Sequence, residues 1–137
     1  MKNHIMIMTV LVSIPLSFSH AESTAVNNLL QDYITQGAIA ADAEQGKHLW
    51  QKTFNKNGER SCASCHTKDL TKYGRHINTN KLIKPMSPSV NPERLTDSKK
   101  VNKWFKRNCK WTLGRECTAQ EKTDFLVYIE NSTKFQE

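Results

Sequence analysis

Cys62, Ala63, Ser64, Cys65 and His66 form the run C-x-x-C-H, and this spacing has a chemical use. Two thiols three positions apart can add to the two vinyl groups on one edge of a porphyrin, while the imidazole of the next residue reaches under the ring to the iron. C-x-x-C-H is the attachment sequence of a c-type haem. Three other uses of close cysteines compete with it. A thioredoxin-like redox pair belongs between a strand and a helix of an α/β chain, and nothing here alternates over enough residues to be a strand. A structural zinc site wants a second Cys or His pair at ligand spacing, whereas Cys109 and Cys117 stand too far apart in sequence to form one. A Cys62–Cys65 disulfide would close a very small ring. The pattern points to one covalent haem c, attached through Cys62 and Cys65, with His66 as the proximal axial ligand.

Haem iron has a second axial position, and its occupant sets potential and access. Met86 lies in a proline-flanked loop, Lys84-Pro85-Met86-Ser87-Pro88, where an electron-carrying cytochrome often supplies a distal sulfur. An ordinary His/Met carrier is one reading. His48 falls on the helix before the motif and reads as a surface histidine on its polar side. His76 follows the motif and reads either as a ligand or as a solvated loop residue.

The elements that must position these groups are helical. Val26, Leu29, Leu30, Tyr33 and Ile34 recur at helical spacing from about Ser23 to about Gln36, and Gly37 ends the run. Asp42 is placed to cap a second helix that carries Glu44 in its first turn, buries Leu49, Trp50 and Phe54, and ends at Asn57-Gly58. Gly46, one turn before Trp50, lets another helix approach closely. From Thr67 to Pro92 periodicity is weak and Pro85, Pro88 and Pro92 interrupt the chain. A long loop of this kind needs a cofactor or ligand to organise it. Asp97 or Ser98 caps a third helix with Val101, Trp104 and Phe105 on one face. Thr118 and Glu121 form the capping box of the last helix, whose stripe is Phe125, Leu126, Tyr128 and Ile129.

Met1 to Ala21 reads as a secretory signal peptide: Lys2, then an apolar run from Ile5 through Leu16, then Ser17, Ser19 and Ala21. The expected organisation is a leader over 1–21 and a single monohaem domain over 22–137. An uncleaved anchor is the alternative, though Pro15 and the short apolar run count against a spanning helix. The length of 137 residues excludes a multidomain enzyme, and 37% hydrophobic content with a mean hydropathy of -0.64 excludes a polytopic membrane protein. Removing the leader takes one Lys and no acidic residue from a chain of net charge +7, so the basic excess persists. For an exported, periplasmic protein that excess points to anionic lipid or an acidic protein surface and not to nucleic acid. Cys109 and Cys117 are expected to be oxidised to a disulfide in that compartment.

The chain also resembles the Sphaeroides haem protein family, an unusual group of class I cytochromes c. The resemblance is carried by Asn91-Pro92-Glu93-Arg94-Leu95-Thr96-Asp97, Val101, Lys103-Trp104-Phe105, Arg107-Asn108-Cys109 and Leu113-Gly114-Arg115-Glu116-Cys117-Thr118, and upstream by Ala41 to Lys47 and the haem motif. It implies an all-α class I cytochrome c fold, here with Ser23 to Gln36 as an additional amino-terminal helix. It further implies that the distal ligand is an asparagine immediately before the first disulfide cysteine, which is Asn108, and that Cys109 pairs with Cys117. From the residues alone, Asn108 reads equally as a helix C-terminal cap.

An amide oxygen is a neutral, hard donor that tolerates ferric iron and binds ferrous iron poorly. The family pattern implies that it swings away on reduction or ligand arrival, admitting oxygen, nitric oxide or another small diatomic molecule. The expected function is an exported electron-transfer cytochrome with a displaceable sixth ligand. A gas sensor or carrier, and a small oxygen or nitric oxide reductase, are the alternatives; no acid or base is visible near the iron, which favours an electron-transfer protein over an enzyme. Lys99, Lys100, Lys103, Lys106, Arg107 and Lys110 cluster near Asn108 and suit an acidic redox partner. The resemblance implies a dihaem cytochrome c in that role.

Overall fold

Helix starts follow the capping residues. Ser23 accepts from Val26 N and opens α1 (Thr24–Thr35); Asp42 accepts from Gln45 N and opens α2 (Ala43–Gln51). The haem motif forms a short α3 (Ala63–His66). Asp97, not Ser98, caps α4 (Ser98–Leu113) through Lys100 N, and Gly114 closes that helix in the left-handed conformation at φ 77°. Thr118 and Glu121 make a reciprocal capping box at the start of α5 (Ala119–Glu130), followed by a 3-10 turn, Ser132–Phe135. A computed structural model describes residues 23–54 and 60–135. The expected leader, its cleavage point after Ala21 and the Asn57-Gly58 pair lie outside them.

Three expectations about the elements need correction. The second helix stops at Gln51, because Lys52 turns extended (ψ 135°) and Phe54 N then donates to Arg60 O at 3.0 Å, folding the chain back toward the haem motif. The Thr67 to Pro92 segment is not wholly irregular: β1 (Gly74–Arg75) pairs antiparallel with β2 (Leu82–Ile83) in a small hairpin. Two-residue strands are too short to leave an alternating pattern in the sequence. The third helix also runs past Cys109 to Leu113, so Asn108 lies inside it and not at its C-terminal cap.

The core forms where α2 and α1 meet α5 and α4. Val26, Leu29, Tyr33, Leu126 and Ile129 are buried, and Phe105 lies between the rings of Tyr33 (6.5 Å) and Phe125 (6.2 Å). Tyr33 Oη donates to Asn102 Oδ1 at 2.5 Å, fastening α1 to α4. Helix α2 crosses α5 at Gly46, where a Cβ would run into the Asp124 carbonyl and come within 2.8 Å of Tyr128 Cβ. The buried Asp124 carboxylate accepts from Asp42 N (3.0 Å) and Gln120 Nε2 (2.8 Å), so the start of α2 is held as well as its middle. Gly46→Val is expected to cost about 3 kcal/mol, since backbone cannot yield as a side chain does. That corresponds to a melting temperature lower by roughly 12 °C or more in a domain of this size, read by thermal circular dichroism. A midpoint within about 3 °C of wild type would contradict the close crossing.

Candidate haem centre

Cys62 stands at the N-terminus of α3 and Thr67 ends it at φ 66°. The turn is braced locally by Ser61 and Ser64, whose hydroxyls lie 2.9 Å apart and each accept from the other's backbone N–H. Two aromatic side chains from the core fix the residues that follow. Trp50 Nε1 donates to Thr67 O at 2.8 Å and its ring centroid lies 5.6 Å from that of His66; Tyr128 Oη donates to Lys68 O at 3.4 Å. The hairpin lies directly on the motif at Gly74, where a Cβ would strike the Cys65 carbonyl and approach His66 Cα to 2.9 Å. Neither Gly74 nor the clamp formed by Trp50 on Thr67 stands out in the sequence, because both depend on which distant segments meet.

The chemistry of the three motif side chains discriminates among the uses of C-x-x-C-H. Cys62 and Cys65 are both free thiols. Burial pushes the Cys62 thiol up to about 12, with its own backbone hydrogen bond opposing and Cys65 adding to the rise. A redox dithiol works through a lowered pKa, so this pair is unlike one. Among the described residues no group of three or more His, Cys, Asp or Glu is placed to hold a metal ion. Burial first, then the charges of Arg94 and His76, brings the His66 imidazole down to about 4. It is therefore neutral near pH 7, the form in which an imidazole ligates a metal. Among the described residues His66 Nδ1 is one of two buried side-chain polar atoms without a hydrogen-bond partner, in a class of atoms that is nearly always satisfied. Two free thiols beside a neutral, partly orphaned imidazole fit a covalent c-type haem.

Helix α4 carries two faces. Val101, Phe105, Cys109 and Thr112 turn inward, Cys109 and Thr112 fully buried. Trp104, Asn108 and Trp111, spaced four and three apart, share the adjoining face. Asn108 is half-buried and its amide hydrogen-bonds to none of the described residues. Because the helix continues for another turn and Gly114 supplies its C-cap, Asn108 is not a capping residue. Next to it Cys109 is bonded to Cys117, tying α4 to the residue just before the α5 cap.

Trp111 connects this face to the haem motif. The Arg60 guanidinium sits 4.4 Å from the Trp111 ring centroid and Arg60 Nη1 donates to Trp111 O at 3.3 Å, while the His76 ring lies 5.9 Å away on the same indole. Arg60 and Trp111 were not apparent as site residues from sequence; the only signal was that Trp111 follows Asn108 by three positions. His76 Nδ1 accepts from the backbone N–H groups of Asn78 and Thr79 (3.3 Å each), so that nitrogen is engaged within its own loop. His48 is exposed on α2, as its polar-side position suggests.

Met86 belongs to the segment beside His66. Met86 N and Ser87 N both donate to Leu70 O (2.9 and 2.8 Å), four residues after the histidine. Arg94, whose charge acts on His66, donates to Pro85 O and Lys84 O at 2.8 Å each, and Asn91 Nδ2 donates to the same Pro85 oxygen at 2.8 Å. The loop is thus fastened to Leu70 at two points and braced internally by three side-chain bonds from Asn91 and Arg94, with the Met86 side chain half-buried against the core.

Residues 36–129 match a family described as a domain of unknown function, DUF1924. Among curated proteins, the cytochrome c-type protein SHP of Cereibacter sphaeroides is 40% identical over 111 residues, 80% of this chain and 85% of that protein. Among solved structures, oxidized SHP, described as an oxygen-binding cytochrome c, is similar with a TM-score of 0.71 at 38% identity, over 80% of this chain and 98% of that one. The solution structure of cytochrome c'' from Methylophilus methylotrophus, described as giving insight into haem-ligand detachment, is similar at 0.67 and 34% identity, over 79% and 94% of the two chains.

Proposed function

Because the chain belongs to the Sphaeroides haem protein family and has its all-α cytochrome c fold, we propose that it is an exported, periplasmic monohaem c-type cytochrome whose sixth ligand is the releasable amide of Asn108. Haem c, when bound, supplies a one-electron iron couple and an axial position at which oxygen, nitric oxide or another small molecule can bind. Cys62 and Cys65 form the thioethers and His66 is the proximal ligand. Trp50 and Gly74 hold the motif's backbone, and the packing around His66 keeps its imidazole neutral. The relatives support the coarser part of this reading: one is described as oxygen-binding and the other as detaching a haem ligand.

The observation that carries the finer part is the state of Asn108. Asparagine is a poor helix-interior residue because its side chain competes for backbone groups. In the middle of α4 it makes no such bond, beside a disulfide and on a face that reaches the haem motif through Trp111 and Arg60. Met86 is a weaker candidate, since its backbone is tied to Leu70, four residues after His66, and its side chain packs against the core. The resemblance also supports an acidic electron partner such as a dihaem cytochrome c.

The test is absorption and paramagnetic resonance of the ferric and ferrous holoprotein, with and without carbon monoxide. A low-spin ferric form with a high-spin ferrous form that takes up the gas readily is expected. Low-spin iron that resists the gas in both states would return the protein to an ordinary His/Met or bis-His carrier.

A further inference from the structure

The outward side of α4 is unusual for a solvated helix. Its sixteen residues include Lys99, Lys100, Lys103, Lys106, Arg107 and Lys110 and no acidic residue. Solvated helices ordinarily intersperse the two signs, and like charges four apart repel. Here Lys99 with Lys103, Lys103 with Arg107, and Lys106 with Lys110 are all such pairs. Lys110 is relieved by Glu116 at 3.3 Å, but the other five have no ion pair among the described residues. A helix that keeps this arrangement has a surface whose counter-charge comes from outside the chain.

Trp104 stands in the middle of that surface. It is 44% exposed and shares its face of α4 with Asn108, which the proposed function places at the haem. The Arg107 guanidinium lies 5.5 Å from its ring centroid, and Lys100, Lys103, Trp104 and Arg107 line a shallow groove. An aromatic ring beside an arginine within a charged rim is the composition of a protein-docking centre. Asn108 is one turn further along the same face.

We propose that the acidic redox partner of this cytochrome docks on the Trp104 groove of α4, with carboxylates against Lys103 and Arg107 and an apolar contact on the indole. The proposal rests on the electron-transfer reading above. The partner then covers the turn of α4 that precedes Asn108, so electron delivery and release of the sixth ligand occur on one side of the molecule. The competing surface is the β-hairpin region, where Tyr73, Ile77 and Leu82 are exposed. That surface also carries Lys68, Lys72, Arg75 and Lys81, but spread over a turn and a hairpin with Asp69 among them and not along one helix face beside Asn108.

The experiment follows reduction of the ferric holoprotein by stopped flow, with flavodoxin hydroquinone as an acidic protein donor and reduced lumiflavin as a neutral one. For the wild type, flavodoxin should react roughly tenfold faster at low than at high ionic strength, as steered encounters do. Lys103→Glu/Arg107→Glu should lower the flavodoxin rate roughly tenfold at low salt and flatten its salt dependence, while the lumiflavin rate is unchanged. Trp104→Ala should lower the flavodoxin rate without altering its salt slope. Lys72→Glu/Lys81→Glu, with the same change in net charge but near the hairpin, should stay near wild type. Equal loss in both double variants, or loss only in the hairpin one, would overturn the proposed face. If reduced lumiflavin does not reduce the wild-type protein, the electron-transfer reading itself fails and takes this surface with it.

Discussion

Asn108→Ala is expected to convert the low-spin ferric protein to a high-spin one and to speed the binding of azide by roughly one to two orders of magnitude, equivalent to removing a competing ligand worth about 1.4–2.7 kcal/mol. The substitution is clean in this fold. Alanine is the better helix former, so α4 should gain slightly in stability. The inward side chains Phe105, Cys109 and Thr112 are untouched, and the Asn108 amide has no hydrogen bond to lose among the described residues. A structural role would therefore leave the spectrum as it was, while a ligand role changes the iron alone. Asn108→His supplies a softer nitrogen donor from the same position, and the ferrous form should then remain six-coordinate and take up carbon monoxide slowly. Met86→Leu, which keeps the apolar volume against the core, should leave both oxidation states unchanged. A ferric spectrum unaltered by Asn108→Ala but altered by Met86→Leu would reverse the assignment of the sixth ligand.

Local rules carried the sequence reading a long way. A cap needs one side chain and a backbone N–H two or three residues on, so Asp42, Asp97 and the Thr118–Glu121 box all form where the residue types place them. Gly37 at φ 97° ends α1 for the same kind of reason. What the sequence could not convey was tertiary. The end of α2 depends on Phe54 pairing with Arg60, and the value of Gly74 on the hairpin lying against Cys65. The role of Trp50 depends on Thr67, seventeen residues away. The reach of α4 past Cys109 matters most, since it turns Asn108 from a possible cap into an interior residue with a free amide.

The residues that carry the family resemblance divide by physical task. In Asn91-Pro92-Glu93-Arg94 the Asn and Arg side chains lock the carbonyls of Lys84 and Pro85 beside His66, and Asp97 then starts α4. In Gly114-Arg115-Glu116-Cys117-Thr118 the glycine ends α4 and the arginine forks onto Glu121 at 2.7 and 2.8 Å. That bond holds the Glu121 carboxyl below its ordinary range, and the carboxylate also accepts from Thr118 N at 2.9 Å. These segments fasten the two ends of α4, and the Asn108 amide between them hydrogen-bonds to none of the described residues. A motif of this kind reads in sequence as one signature but consists of a frame and the residue it presents.

The second large effect is expected when the chain is made without its covalent cofactor, for example as Cys62→Ser/Cys65→Ser. That form should keep much of its helical circular dichroism but lose its cooperative melt and bind hydrophobic dyes, as molten globules do. The contacts among α1, α2, α4 and α5 are between long helices and can survive in part. The centre of the molecule is different. Helix α3 has four residues, far below the length at which a helix holds itself, and the hairpin has two residues per strand. Thr67, Asn80 and Leu95 all sit at positive φ, a conformation that costs non-glycine residues roughly 1–2 kcal/mol each. The His66 imidazole has a buried Nδ1 with no hydrogen-bond partner among the described residues. Together these terms weigh against a net stability that for such a domain is only about 5–15 kcal/mol. The segment from Thr67 to Leu95 is expected to order around bound haem and to collapse loosely without it. Calorimetry of the serine variant showing a sharp transition within about 10 °C of the holoprotein would show that the helices alone specify this loop.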